Sequence, residues 1–166
     1  AYAIAADEKI NNMSLSLEEK QEQLLKYCDS LGIRSIGIID LEGNLNSSDG
    51  FSNNIYQRKY FQNLLKDIVY FSTPQMVKGT NDQIIFIGVP LKNGNEIVGA
   101  MTCTFESNFL SEDISGLKYF GMGRSYILSG DGTIIASDNL DEVRDAVNVI
   151  NDSESDDSLK ELASVH

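Results

Sequence analysis

The stretch QIIFIGVPLKNGNEIVGAMTCTFE, residues 83–106, decides the fold. Two runs rich in Ile, Val, Phe and Thr flank the dipeptide Asn93–Gly94, the strongest short-range signal for a β-hairpin. Tight hairpins join antiparallel strands, whereas parallel strands need a long crossover. The centre of the chain is therefore predicted to be an antiparallel sheet.

Two further hairpins are predicted on either side of this stretch. Residues 35–47 turn at Gly43, and residues 124–137 turn at Gly132, each after an acidic residue. Residues 68–77 are predicted to be extended, but Pro74 makes them an edge strand or an interrupted one. The sheet should therefore contain five or six strands.

Helical periodicity dominates the N-terminal residues. Apolar side chains recur at three- and four-residue steps over residues 1–31, which predicts one long amphipathic helix that stops at Gly32. Ser14 or Ser16 marks a candidate internal cap or break, since Ser16 and Glu19 have capping-box spacing. Short helices are expected at 58–67, 107–115, 140–150 and 159–165, so the fold class is α+β with a single sheet.

Composition excludes several classes of function. The 166 residues include 25 acids against 13 bases, a net charge of -12, which argues against nucleic-acid binding. The one histidine is the terminal His166, so Ser-His-Asp and Cys-His catalysis and His-rich zinc sites are not expected, and neither is a cofactor. Cys28 and Cys103 fit two buried small apolar residues, although a bridge between them stays open.

The acidity is concentrated in the last part of the chain. After Ser137 there are nine acids and two bases, a net -7. We therefore divide the chain into a helix at 1–32, a sheet module at 33–138, and an acidic linker or partial helix at 139–166. The abrupt start inside a helical pattern is expected of a piece of a larger protein.

Two groups of polar residues are candidates for ligand binding. Arg58 precedes Tyr60 and Phe61, and a cation beside two rings can hold a carboxylate. The same pattern fits an amphipathic helix with both rings in the core and Arg58 in solvent. Thr102 and Thr104 share one face of their strand and suit a polar ligand, but Thr is also a common strand residue.

The order and spacing of several segments resemble the Cache family of extracytoplasmic sensor domains, over about residues 1–138. The segments are IGIIDLEGNLNSSDG, RKYFQNLL, FSTPQ, IIFIGVPLKNGNEIVGAMTCTF and GRSYILSGDGTIIASD. The match is with the membrane-distal PAS-like module of a double Cache domain. It implies a long N-terminal helix packed on a PAS-like antiparallel sheet, with a small-molecule pocket between the sheet and its covering loops.

Site residues follow from this resemblance by position. Arg58 matches the arginine that binds the ligand carboxylate, Tyr60 and Phe61 match the two aromatics after it, and Ser72 lies in the matching S-x-P segment. Gln75 lies near a Tyr of the amino-acid-binding members. Thr104 replaces the Asp that holds the ligand ammonium, and Thr102 joins it on the same strand. A carboxylate or a neutral polar ligand is therefore expected rather than an amino acid.

The resemblance also implies a biological context. The chain is expected to be the extracytoplasmic part of a bacterial membrane receptor, non-enzymatic, with transmembrane helices and a cytoplasmic output module. That module would be a diguanylate cyclase, a histidine kinase or a chemoreceptor signalling segment. A homodimer through the N-terminal helix is a further expectation. The alternative hypothesis is a ligand-free dimerisation or protein-interaction scaffold of such a receptor.

Overall fold

A computed structural model describes residues 1–77, 82–117 and 122–152 of the chain. The helices are α1 (Tyr2–Ala5), α2 (Glu8–Asn11), α3 (Leu17–Leu31), α4 (Lys59–Leu64), α5 (Phe109–Ile114) and α6 (Leu140–Arg144). The strands are β1 (Ser35–Ile39), β2 (Asn44–Ser47), β3 (Ser52–Asn54), β4 (Tyr70–Phe71), β5 (Gln75–Met76), β6 (Gln83–Asn93), β7 (Glu96–Glu106), β8 (Tyr126–Leu128) and β9 (Ile134–Ser137). The predicted helix at 159–165 lies outside the described residues.

The N-terminal region is three helices, so the prediction of one helix over residues 1–31 is wrong. The carboxylate of Asp7 accepts hydrogen bonds from the backbone N–H of Lys9 and Ile10 and thereby starts α2. The capping box of Ser16 and Glu19 starts α3, as its spacing predicted. Gly32, in the left-handed region, ends α3.

The main sheet is antiparallel in all its described pairings, in the strand order β3-β2-β1-β7-β6-β4, with β5 also paired to β6. The predicted hairpin at Asn93–Gly94 joins β6 to β7. The extended segment around Pro74 is interrupted as predicted, because β4 ends at Phe71 and β5 begins at Gln75. The α+β fold with a long helix before an antiparallel sheet is confirmed.

The hairpin of β8 and β9 forms a two-stranded sheet of its own, so the expectation of a single sheet is wrong. The chain divides into two compact units, residues 1–72 with 86–105 and residues 73–85 with those from 106 onward. The second unit has its own apolar cluster of Ile134, Val143 and Val149, which explains why its hairpin does not need the larger sheet. The three-part division at residues 32 and 138 stays a prediction.

An arginine organises the charged side chains of the second unit. The Arg124 guanidinium contacts the carboxylates of Asp138 and Glu142, each at 2.9 Å, and lies 5.0 Å from the centre of the Tyr126 ring. Helix α6 ends at Arg144, before Ala146 adopts a positive φ of 51°. The helix predicted over 140–150 is therefore shorter than its sequence pattern indicated.

The two predicted acid-Gly turns have the same local structure. Gly43 and Gly132 both have positive φ, and each carbonyl oxygen accepts a hydrogen bond from a segment that returns to the turn. The donors are the N–H groups of Ile55, at 2.8 Å, and Val149, at 2.9 Å. The repeated sequence pattern therefore corresponds to a repeated structural motif, once in each unit.

The first unit's sheet is covered differently on its two faces. Helix α3 contacts β1, and alternation places Ile36 and Cys103 together on the face toward the N-terminal helices. On the opposite face Ile39 and Ala100 pack with residues of α4. Helix α4 and the face beneath it are therefore separate from the long helix.

Both cysteines are buried free thiols, as their apolar surroundings in the sequence predicted. Burial raises the pKa of the Cys103 thiol to about 11 and also raises that of Cys28.

No helix among the described residues is long and apolar enough to cross a membrane.

Lys20 is the one charged residue on the buried stripe of α3, where it precedes Leu24 and Cys28 at four-residue steps. It is 1% exposed, and no described residue forms an ion pair or side-chain hydrogen bond with its ammonium. Burial lowers its pKa below the usual 10.5, since desolvation disfavours the charged form. Lys20 therefore destabilises the fold at neutral pH.

We expect Lys20→Met to raise the free energy of unfolding by about 1–3 kcal/mol at pH 7, because it keeps the side-chain volume and removes a desolvated charge. In the parent, the unfolded chain binds more protons than the native one between the lowered pKa and 10.5. The free energy of unfolding of the parent should therefore rise with pH over that window. In the variant this contribution to the pH dependence of stability should be absent. Urea unfolding at pH 7 and pH 9.5 measures both effects.

The matched control is Lys26→Met on the same helix. The Lys26 side chain is 64% exposed and pairs with Glu22, so its loss should change stability by less than about 0.5 kcal/mol. Equal stabilities of the parent and Lys20→Met would show that the Lys20 ammonium is adequately solvated.

Candidate ligand-binding site

The start of α4 is positioned by the turn at Gly43. The N–H of Ile55 donates to the Gly43 carbonyl oxygen, and the N–H of Arg58 donates at 2.9 Å to the carbonyl oxygen of Ile55. A Cβ on Gly43 would lie 2.6 Å from the backbone nitrogen of Tyr56. The turn therefore holds the Tyr56–Arg58 segment by direct backbone contact.

Arg58 occupies the N-cap position of α4, with an extended backbone and an exposed side chain. No described residue forms a hydrogen bond or an ion pair with its guanidinium. Its five N–H donors are thus available for a planar anion such as a carboxylate. Solvent exposure, one of the two alternatives from the sequence, is therefore correct for the side chain in this structure.

Tyr60 belongs to a group of three aromatic rings that we call the aromatic wall: Tyr60, Tyr70 and Phe86. Tyr60 stacks on Tyr70 with 5.2 Å between ring centres and meets Phe86 edge-on at 5.0 Å. Burial raises the pKa of Tyr60, while the positive charge of Arg58 lowers it in part. In sequence Arg58 begins α4 two positions before Tyr60.

Two predicted site residues already have structural contacts. Phe61 is 0% exposed and packs in the core cluster with Leu64, Ile39 and Ala100. Ser72 is equally buried, and its hydroxyl oxygen accepts a hydrogen bond of 2.8 Å from the N–H of Phe86. Ser72 thereby holds the backbone of Phe86, whose ring belongs to the aromatic wall. Direct ligand contacts by Phe61 and Ser72 stay predictions.

Thr102 and Thr104 lie on the sheet face that α4 covers. Their cross-strand partners in β1 are Gly37 and Ser35, and residues opposite each other in an antiparallel pair share a face. Alternation continues this face from Ala100, a member of the core cluster beneath α4. The structure thus places both threonines on one face of β7, as alternation predicted, and their role in ligand binding stays a prediction.

The hydroxyls on this face are without hydrogen-bond partners among the described residues. Thr102 is 6% exposed and Ser35 is 5% exposed, and the small exposed area includes their hydroxyl oxygens. A Cβ on Gly37 would lie 2.7 Å from the Thr102 hydroxyl oxygen, so only glycine leaves that oxygen its present space. We call Ser35, Thr102 and Thr104 the hydroxyl cluster of the site.

Gln75 belongs to a different compact unit from the other candidates. It lies exposed on β5, opposite Ile84, within the second compact unit. The predicted role of Gln75 in ligand binding therefore stays a prediction without structural support in the first unit.

Sequence reasoning missed Ser35, Gly37, Tyr70 and Phe86. Ser35 and Gly37 become relevant only through the register of β1 against β7, and Tyr70 and Phe86 only through their contacts with Tyr60. Alternation along β1 could have placed Ser35 and Gly37 on one face, but not opposite the threonines. Together these elements offer an anion-binding guanidinium, an apolar wall and a set of hydroxyls, which is chemistry suited to binding.

The element order is a long helix followed by an antiparallel sheet. The fold predicted from the sequence resemblance is thus the one observed. No protein-family model and no curated protein sequence matches the chain.

Several solved structures that are similar in fold to this chain are ligand-binding domains of bacterial chemoreceptors. The sensory domain of the Campylobacter jejuni chemoreceptor Tlp3, with isoleucine bound, matches with a TM-score of 0.64 at 14% identity, over 93% of this chain and 68% of that one. The domain of Pseudomonas aeruginosa PctC, in complex with GABA, matches with 0.64 at 16%, over 89% and 68%. The domain of Pseudomonas fluorescens CtaA, in complex with L-leucine, matches with 0.68 at 17%, over 93% and 66%. At these identities the likeness concerns the fold.

Proposed function

We propose that the chain is the extracytoplasmic ligand-binding sensor domain of a transmembrane signalling receptor, and that it detects a small polar or carboxylate-bearing molecule. The observation that carries the proposal is the position of Arg58. Its side chain is exposed, its guanidinium is free of partners among the described residues, and it begins α4 two positions before Tyr60 of the aromatic wall. The likeness in fold to chemoreceptor ligand-binding domains supports the same conclusion.

Binding would use three kinds of contact. A ligand carboxylate would take a bidentate pair of hydrogen bonds from Arg58. The apolar part of the ligand would pack on the rings of Tyr60 and Tyr70, which are both half-buried. The remaining polar atoms of the ligand would face the hydroxyl cluster on the sheet. No covalent or acid-base step is needed, so the proposed function is non-enzymatic.

Signal transmission would depend on differential binding. A ligand can shift a conformational equilibrium only by its difference in affinity between the two states. Helix α3 contacts β1, and β1 carries Ser35 and Gly37 on its other face. A ligand that contacts this strand would thus favour one packing of α3 over another. Transmembrane helices would pass that change to a cytoplasmic output module.

The parent receptor is proposed to be a diguanylate cyclase, a histidine kinase or a chemoreceptor in a bacterial cell membrane. Leu25 and Leu31 are exposed on α3 and would be the apolar contacts of a homodimer formed through this helix. The same two residues favour the second candidate function, a dimerisation scaffold without a ligand.

A thermal-shift screen of carboxylates, amino acids and nucleobases tests the proposal. A ligand at about 100 times its Kd stabilises the native state by about 2.7 kcal/mol, which raises the Tm by several degrees. We expect such a shift for at least one carboxylate, its loss in Arg58→Ala, and its retention in the control Lys59→Ala, which removes the exposed neighbouring charge. Dimerisation through α3 without any stabilising compound would instead support the scaffold.

A further inference from the structure

The polar atoms on the sheet face of the candidate site are uncharged. Between Ala100 and Thr104 on β7, and between Ser35 and Ile39 on β1, the positions on this face are Ser, Gly, Ile, Ala and Thr. The acids that share the alternation of β7, Glu96 and Glu106, lie exposed at its two ends. A ligand group that reached this face would thus meet hydroxyls rather than carboxylates.

We propose that the site selects a carboxylate whose second polar group is an uncharged hydroxyl or carbonyl, and that it rejects the corresponding α-amino acid. This inference rests on the proposed function. Ser35, Thr102 and Thr104 are the specificity residues, and Gly37 is a positioning residue that leaves space for the Thr102 hydroxyl.

Desolvation gives the physical reason for this selectivity. The hydroxyls of Ser35, Thr102 and Thr104 have no hydrogen-bond partner among the described residues, and a ligand hydroxyl or carbonyl would supply one. Between Ala100 and Thr104 no position on this face carries an opposite charge, so an ammonium that reached this part of the face would lose its hydration without a counter-charge, and burial of an unpaired charge is costly. Serine and threonine hydroxyls can donate to a carbonyl and can accept from a hydroxyl, so both classes of ligand fit.

Isothermal titration calorimetry with matched compounds tests this selectivity on the 166-residue chain. One series consists of L-lactate, pyruvate, L-alanine and propionate, and a second consists of the hydroxy, keto, amino and unsubstituted acids with the leucine side chain. Within each series only the substituent on the α-carbon changes. We expect the hydroxy or keto acid of at least one series to bind at least about tenfold more tightly than the amino acid, a difference of about 1.4 kcal/mol.

Three variants connect the preference to this face. Thr102→Val keeps the side-chain shape and should weaken binding of the hydroxy or keto acid about fivefold to tenfold. Thr104→Asp supplies a carboxylate and should narrow or reverse the preference against the amino acid. Ser52→Ala, which removes an exposed hydroxyl from β3, is the control and should leave all affinities unchanged.

The failures of the two proposals can be distinguished. If the amino acid binds most tightly and Arg58→Ala abolishes its binding, the selectivity proposed here is overturned while the sensor function stands. An unchanged preference in Thr104→Asp would also overturn it, since the distinguishing group would then lie elsewhere. If no compound of either series binds but another carboxylate binds through Arg58, only the selectivity fails; if nothing binds, the sensor function fails as well.

Discussion

Replacement of Gly43 by alanine is expected to destabilise the first unit by about 2–4 kcal/mol and to weaken any ligand binding that depends on Arg58. Gly43 has a φ of 83°, where an L-residue is strained, and its new Cβ would lie 2.6 Å from the Tyr56 nitrogen and 2.7 Å from the Tyr56 Cα. Because both atoms belong to the backbone, the whole segment must move. The segment leads directly into Arg58 and α4.

Gly50→Ala is the matched control for this prediction. Gly50 has a φ of 85°, but nothing lies within 4 Å of the position that a Cβ would take there, so the substitution adds backbone strain without an overlap. Its cost should be about 1–2 kcal/mol. Urea unfolding and hydrogen exchange of the β1–β2 amides measure the difference between the two variants. Equal destabilisation of the two variants would mean that the backbone at Tyr56 can move away at little energetic cost, and that the turn does not position α4.

The second large effect is expected for Phe61→Ala, which should cost about 3–5 kcal/mol. Phe61 is 0% exposed and is enclosed by Ile39, Leu45, Ile55, Leu64 and Ala100. Truncation removes a full ring from a packed cluster and leaves a cavity between α4 and the sheet. The Tm and the urea midpoint of the 166-residue chain measure the loss.

Phe51→Ala is the same substitution at a side chain that is 56% exposed, and it should cost less than about 1 kcal/mol. Phe61→Leu distinguishes packing from ligand contact, because it keeps most of the apolar volume and removes the ring. We expect Phe61→Leu to retain carboxylate binding with reduced stability. A loss of binding without a loss of stability would instead assign Phe61 to the ligand.

Features that depend on a few neighbouring residues were predictable from the sequence. The Asn93–Gly94 hairpin, the capping box at Ser16, the helix end at Gly32 and the interrupted edge strand at Pro74 are all observed. Each depends on the φ preference of one residue or on one side-chain hydrogen bond to a nearby backbone group. The break of the N-terminal helix before Asp7 was missed, because the apolar periodicity continues through it.

The sequence by itself therefore determined the antiparallel α+β fold, the capped α3, and the candidates Arg58, Tyr60, Thr102 and Thr104. Only the tertiary structure decided that the β8–β9 hairpin forms a separate sheet, that Phe61 and Ser72 support the aromatic wall, and that Ser35 and Gly37 lie opposite the threonines. The physical reason is the separation in sequence between the residues that interact. Turns and caps are local, whereas strand register and ring contacts join residues tens of positions apart and depend on the packing of the whole unit.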